Sequence, residues 1–582
     1  MSNLYVGVTG LNTAQTALNT TSHNLANVGT DGYTRQQLVI TDTYYQSVKN
    51  GHISSNQVGF GANVDAIRQV RNAFLDKSYR LESSRMGFYQ SQAQVASEVE
   101  DLFGELEGVA FQQSLESFWT SLQELAKTPD DLTTRKAFIQ TSVSFVERAS
   151  EVYNQLTAYQ VSLNTEITDQ VNSINSLGDR INKLNETIRQ YEANGQNAND
   201  YRDQRNALLD ELSGYSKITY RELQDGTVTV NLEGVQFVTD TGVNYLNLEY
   251  MNDTSQMLKP VWSHIGDDVY DLTKQCNSND NTDVGSLKGL LLARGDGITN
   301  YTDIPIKPNA DDFDTAAAYE DALKQYDKEV ETYNNTVNQS VIQTVLSQFD
   351  QLIHGVVSTV NDILCPNKDV TITLEDGTTK TITVLDEKNA AIGYGEGNDY
   401  PGTELFSRKG MDRYESVQYT LEDGSVVTYQ VYNKEDQTNN YSLYTLGEIE
   451  VNKKLLENAS LLPLTSNDGT GAYCADICDK LTEAWSNKFA ALDPNTQTVS
   501  TFKDYYTNFV GALANRLNSL ELIADSQEAT VKSVDDQRQQ VMGVSTDEEL
   551  SNLIRFQQSY NAASRYINVV SEMIEDLISA LG

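Results

Sequence analysis

Proline is absent from residues 1–128 and 495–582 of this 582-residue chain, and all eight prolines fall between them. Because proline breaks helices, both ends are free to form long uninterrupted ones. Cysteine is nearly as scarce: Cys276, Cys365, Cys474 and Cys478 are too few and too scattered for a disulfide framework. Cys474 and Cys478 stand one helical turn apart, but only four histidines exist to complete a metal site, so they read as small part-buried residues. No stretch approaches the ~18 consecutive apolar residues that a membrane-spanning helix needs. Met1 to Ala26 carries neither Lys nor Arg nor a continuous apolar core. The expectation is a soluble chain without membrane insertion and without a cleavable secretory signal.

Positive charge is short as well. Lys and Arg total 42 against 82 Asp and Glu, a formal net charge of −40. Phosphate binding needs clustered cations, and none form a stripe here, so nucleic acid is excluded as a partner and anionic lipid with it. The negative surface serves solubility. Catalytic signatures are also missing: no His-Glu-x-x-His, phosphate loop or Gly-x-Ser-x-Gly elbow occurs. His23 and His354 read as packing or surface residues, and His52 and His264 lack Cys, Asp or Glu at ligand spacing. Asn277 to Asp283 has the composition of a calcium loop without the twelve-residue pattern or the closing Glu. No catalytic residue, cofactor or metal is assigned, and the chain reads as a non-enzyme.

Helical periodicity fills the ends. Leu553, Phe556, Tyr560, Ala563, Ile567, Val570, Ile574, Leu577 and Leu581 alternate spacings of three and four, a seam that asks for a partner helix. A weaker seam runs through Leu4, Val8, Leu11, Leu18 and Leu25, interrupted by Gln15 and Ser22. Apolar periodicity predicts a further helix over 163–191 and two more between 70 and 127. The first helix should stop at Asn27 to Gly32, where turn formers cluster, and 33–70 reads as extended.

The middle changes character. Ile218–Glu222, Thr227–Leu232 and Val235–Val238 are β-rich runs parted by Asp225-Gly226 and Glu233-Gly234. Asp369–Leu374 with Lys380–Leu385, and Val417–Leu421 with Val426–Tyr432, flank two more Asp-Gly turns. Ser340–Leu364 reads as a helix, and 301–335 as an acidic insertion, helical from Ala316 to Tyr333.

The fold class that follows is α+β multidomain. Long terminal α-helices pair as a coiled-coil-like core, with a helical bundle domain and β-rich outer domains inserted mid-chain. The expected divisions are 1–35 with 540–582 as the terminal core, and 36–215 with 495–539 as a mainly helical rod domain. Residues 216–300, 336–365 and 441–494 form a mixed domain, 301–335 the insertion and 366–440 a variable β-rich outer domain. Two paired helices leave much surface unburied, so the ends are expected to depend on neighbouring subunits and to be disordered in the isolated chain.

The end motifs carry a resemblance. Ser2 to Leu11, Gln15, Ala17-Leu18, Ser22 and Asn24-Leu-Ala-Asn27 resemble the N-terminal signature of flagellar rod, hook and hook-associated proteins. Gly32-Tyr33-Thr34-Arg35-Gln36 is similar to the hook-associated members in particular. So are Arg538, Gly543-Val544-Ser545-Thr546-Asp547-Glu548-Glu549-Leu550 and Gln557-Gln558-Ser559-Tyr560. Phe74-Leu75, Tyr79-Arg80 and Gly285 to Leu291 fit as well, while Gly29 stands where the family more often has Asn.

The resemblance implies a structural subunit of the bacterial flagellum at the junction of hook and filament, needed for filament assembly. Its implied partners are further copies in a ring, the hook protein, a second junction protein and a dedicated export chaperone on the C-terminal helix. Its implied route is the flagellar type III export apparatus, and its implied place is extracellular. A hook protein or another rod or hook component is the alternative. Within the motif, Asn24, Asn27, Gly32, Tyr33, Arg35 and Gln36 mark the end of the first helix. Asn27 and Gly32 suit turn chemistry, and Arg35 is expected to bridge carboxylates or carbonyls of a neighbouring subunit. Gly543, Asp547, Glu548 and Glu549 read as a helix start, capped by Ser545 or Thr546 with the acids complementing the dipole.

Overall fold

The computed structural model describes residues 2–50, 54–103, 111–252, 255–395, 398–467 and 472–581, so His52 lies outside the described residues. Its helices are α1 (Ser2–Ala26), α2 (Ala73–Phe103), α3 (Phe111–Lys127), α4 (Leu132–Glu192), α5 (Asn199–Tyr215) and α6 (Ser286–Arg294). The chain continues through α7 (Ala316–Asn335), α8 (Val341–Leu364), α9 (Lys453–Glu457), α10 (Ala475–Ser486), α11 (Phe502–Met542) and α12 (Thr546–Leu581). Between α1 and α2 run β1 (Gln36–Asp42), β2 (Tyr45–Asn50), β3 (Ser54–Gly59) and β4 (Ala62–Gln69). β1 pairs antiparallel with β4 and β2 with β3, giving a two-stranded ribbon with a register shift at Val39/Ile40.

The helix expected over 163–191 is the second half of α4, which begins at Leu132 behind an Asp131 cap that accepts from Thr133 N–H. Its buried face continues upstream through Phe138, Phe145 and Val152, but Arg135, Ser142 and Gln160 are buried on the same helix and hide the period. Their donors are bonded locally or across the core: Arg135 donates to Pro129 O, Ser142 to Phe138 O and Gln160 to Arg294 O.

α8 lies at the centre. It starts at the Ser340 cap, and Val341, Ile342, Leu346, Phe349, Leu352, Ile353, Val356 and Val357 are all shielded from solvent. Each such side chain contributes roughly 1.5–3 kcal/mol on burial. α2 and α11 run antiparallel beside it, with Phe103 meeting Phe349 at 5.5 Å and Phe509 at 5.3 Å edge-on. α7 is the acidic insertion, held mainly through Tyr333 against Ile304 and Val337.

Asp-Gly and Glu-Gly turns form where expected. Strands 218–222, 228–232 and 235–238 make one antiparallel sheet, with Gly226 and Gly234 at φ 81° and 86°. Strands 367–373, 379–385, 426–432 and 414–420 make another, in that order. It encloses Ile372, Ile382 and Val384, and curls until Leu374 bridges Leu421, joining its first strand to its last. Among the described residues, no helix is long and apolar enough to cross a membrane.

Candidate assembly junction

α1 and α12 lie antiparallel, and glycine sets their separation. A Cβ on Gly7 would come within 2.7 Å of Ile567 Cγ1, and one on Gly10 within 3.8 Å of Ala563 Cβ. The side of α1 that loses its exposure is a row of small residues: Gly7, Ala14, Ala17, Thr21 and Asn24, with Gly10 half-buried in the same row. This row is offset by one residue from the leucine seam read in the sequence. Leu4, Leu11, Leu18 and Leu25 are half-buried, and Val8 is 40% exposed. Small side chains let the two backbones approach, while the leucines flank the contact.

On α12 the seam itself faces α1. Leu553, Phe556, Tyr560, Ala563 and Ile567 are half-buried and Val570 is buried. Past Val570 the register has run beyond the start of α1, and the apolar side chains of α12 there are left exposed. Ile574, Leu577 and Leu581 are 38%, 61% and 80% exposed. Leu550, Ile554, Val569, Met573 and Ile578 add a second bare apolar row along the same helix. Both ends are helical, and α12 overhangs its partner by three turns.

Where α1 ends, the motif residues bond one another. Asn24, 1% exposed, donates to Gln36 O at 2.9 Å and Glu549 Oε2 at 3.2 Å. Its carbonyl oxygen accepts from Gln36 N–H at 3.0 Å and Tyr33 O–H at 2.8 Å. Burial and the surrounding carboxylates push the Tyr33 phenol up, holding it in the donor form. Arg35 donates its N–H to Met542 O at 2.8 Å. Its guanidinium reaches Glu549 Oε1 and Glu548 Oε2, both at 3.0 Å. Arg35, expected to bridge to a neighbouring subunit, is thus engaged inside its own chain.

The turns follow local rules. Asn27 donates to His23 O and accepts from Thr30, and Gly32 takes φ 75°. Gly543 ends α11, where a Cβ would meet Gln539 O at 2.4 Å. Ser545 stands before α12 and accepts from Glu548 N–H at 3.5 Å. Asp547 is exposed on the first turn.

Below this knot runs a ladder of alternating charge that the sequence did not reveal. Thr34, fully buried, donates its N–H to Asp203 Oδ2 at 3.0 Å, and Gln69 donates to Asp203 Oδ1 at 2.6 Å. Arg71 lies 3.5 Å from Asp203 and grips Asp76 at 2.9 Å. Arg538 bonds Asp210 at 2.8 Å, lies 3.4 Å from Asp76 and covers the Tyr79 ring at 4.1 Å. Arg80 closes the run on Asp210 at 2.6 Å. Burial pushes the Asp203 carboxyl up to about 6, against the bonds from Thr34 and the charge of Arg71. The ladder ties the ribbon root to α2, α5 and α11. The sequence contains one sign of it: Asp203 and Asp210 share a face of α5.

The other candidates have ordinary surroundings. His23 faces Asp200 at 3.3 Å, His354 faces Glu435 at 3.1 Å, and His264 lies edge-on to Trp262. In the loop that resembles a calcium site, Arg85 bonds Asn281 at 2.6 Å and pairs with Asp283 at 3.3 Å, so a guanidinium occupies the place of a cation. The four cysteines are free thiols. Among the described residues, no group of three or more His, Cys, Asp or Glu is arranged to hold a metal ion.

Three family models match the chain. Residues 96–371 match the helical domain of the flagellar hook-associated protein FlgK. Residues 4–34 match the flagella basal body rod protein model, and 537–580 the C-terminal model of basal body rod FlgEFG proteins. Flagellar hook-associated protein 1 of Bacillus subtilis is 25% identical over 581 residues, covering 98% of this chain and 96% of that one. Its counterpart in Salmonella typhimurium is 23% identical over 586 residues, with 98% of each chain covered. Among solved structures, the flagellar hook junction protein FlgK of Burkholderia pseudomallei aligns with a TM-score of 0.49 at 13% identity, over 81% of this chain and 100% of that one.

Proposed function

We propose that the chain belongs to the flagellar hook-associated protein family and, on that premise, is a structural subunit joining hook to filament, without which the filament does not assemble. The observation that carries this reading is the pairing of the two chain ends through Gly7 and Ile567, with the apolar rows of α12 left bare beyond Val570. A bare helical face of that kind is stable in an assembly and costly in isolation.

Several finer points belong to the same proposal. The subunit works by burial and not by catalysis. Copies form a ring through the α12 rows and the flanking leucines of α1, between the hook protein and a second junction protein. Before assembly, a dedicated chaperone covers the overhanging α12 while the flagellar type III apparatus exports the chain. The terminal core, 1–35 with 540–582, moves as one body on the neck at Arg71, Asp76 and Arg538. Residues 366–440 face outward.

Deleting the gene tests the reading. Complete hooks without filaments, and flagellin monomers shed into the medium, are expected. Absent or malformed hooks would make the protein a hook or rod component, the alternative reading, and normal flagella would overturn both.

A further inference from the structure

The outer domain repeats itself. Residues 366–386 and 413–433 align at a constant offset of 47 residues. Val370 falls on Val417, Thr373 to Gly377 on Thr420 to Gly424, Thr381 on Thr428 and Val384 on Val431. The fold keeps the same offset. Strands 367–373 and 379–385 correspond end for end to 414–420 and 426–432, and Asn367 pairs with Leu385 as Tyr414 does with Tyr432. Asp386 N–H closes the first hairpin on Pro366 O at 2.8 Å, and Asn433 N–H the second on Arg413 O at 2.9 Å. Gly377 and Gly424 turn at φ 78° and 80°. The turn alone proves no kinship, because Leu223 to Thr227 closes in the same way.

What distinguishes these two hairpins is how they meet. Glu375 N–H donates to Thr420 O at 3.2 Å, and Glu422 N–H returns the bond to Thr373 O at 3.1 Å. Leu374 bridges Leu421 and Val384 pairs with Val431, so each of these residues faces its own equivalent. Reciprocal contact of this kind marks a two-fold interface. The enclosed faces differ in size. Ile372 and Ile382 stand where the second hairpin has Tyr419 and Tyr429, and both tyrosines pack against the cluster of Ile372, Ile382 and Val384. A lone two-stranded hairpin is marginal in water, so each needs the other's face.

We propose that the two hairpins are copies of one self-associating unit, and that the inner face of each is an interaction surface whose partner is a second hairpin of the same pattern. The outer domain is then a two-fold dimer enclosed in one chain. Size selects the pairing: two isoleucine faces would leave a cavity and two tyrosine faces would overpack, so unlike faces meet. The partner comes from the same molecule, and this domain closes without a neighbouring copy.

Equivalent faces can trade places, and the test makes them do so in the purified full-length chain. Ile372→Tyr with Ile382→Tyr should overpack the pair, and Tyr419→Ile with Tyr429→Ile should hollow it. Each half-exchange should lower hydrogen-exchange protection across 367–385 about tenfold or more. All four substitutions together should return it to within about threefold of the parent. The remaining shortfall is the contact of Lys380 with the Tyr419 ring at 5.6 Å, which the exchange does not carry across. A second measurement traps the axis, with the four native cysteines replaced by alanine. Leu374→Cys with Leu421→Cys, and separately Val384→Cys with Val431→Cys, should each close a disulfide within one chain. Paired residues of antiparallel strands lie about 4.5–5.5 Å apart at Cα, inside the span a disulfide bridges. A fourfold exchange as poorly protected as either half, or halves as well protected as the parent, would overturn the proposal. So would failure of either disulfide to form within one chain.

Discussion

Arg35 Nε lies 3.0 Å from Glu549 Oε1, a bond that spans 514 residues of sequence. The same guanidinium reaches Glu548, and the Arg35 N–H holds the last carbonyl of α11. One arginine at the exit of the first helix thus fixes where the last helix begins. Glu549 is 2% exposed, so it depends on that arginine and on Asn24.

Arg35→Ala should cost roughly 1.5–3 kcal/mol, because it strands a buried carboxylate. Glu549→Gln should cost less once Arg35 is gone. Chemical denaturation of the two single variants and the double variant checks this: a coupling well above about 0.5 kcal/mol is expected, and strict additivity would contradict the contact.

Gly7→Val should separate α1 from α12. The added Cβ meets Ile567 at 2.7 Å, and overpacking of this kind costs about 1–3 kcal/mol. Gly7→Ala sets the clash against a helix-propensity gain of about 1 kcal/mol, so it should fall near neutral. Gly29, with nothing within 4 Å, is the control, and Gly29→Ala should leave the melt unchanged. Hydrogen exchange across 553–570 reports the difference directly.

How much of this was legible in the sequence depended on side-chain size. The α12 seam was visible because all nine of its positions are apolar, and the hairpins because Asp-Gly pairs announce them. The contact row of α1 was hidden: Gly7, Gly10, Ala14 and Ala17 carry little hydrophobicity, and the leucines one residue along drew the eye. The first half of α4 was masked by buried Arg135, Ser142 and Gln160. The charge ladder gave almost no local signal, since Gln69 and Asp203 are 134 residues apart and Arg538 and Asp210 are 328 apart. Motif residues were recognisable as a set, but their bonding to one another was not.

Acid should stabilise the neck through Asp203. Its carboxyl sits at about 6 against 3.8 in the unfolded chain, so the folded chain holds a proton between those values that the unfolded chain has released. The contribution is full below about pH 4 and is lost as pH rises through about 6, on the order of 2–3 kcal/mol. Asp203→Asn removes this slope. The stability difference between variant and parent, measured from pH 4 to 7, should therefore change by that order; a constant difference would contradict the burial.

Leu577→Glu with Leu581→Glu should leave the isolated chain within about 0.5 kcal/mol of the parent, because both side chains are already in water. The same pair should abolish filament formation in cells by placing charge in the faces that copies bury. A normal filament on the doubly substituted protein would mean that the overhang is not an assembly surface.

The most direct measurement of the central claim is a cross-link between Gly10→Cys and Ala563→Cys, with the four native cysteines replaced by alanine. The Cβ built on Gly10 lies 3.8 Å from that of Ala563, inside the span a disulfide bridges. Under mild oxidation, both the purified chain and isolated flagella should yield a bond within one chain, seen as a faster-migrating species of monomer mass. No bond, or a bond that joins two chains, would show that the ends of one molecule do not pair with each other.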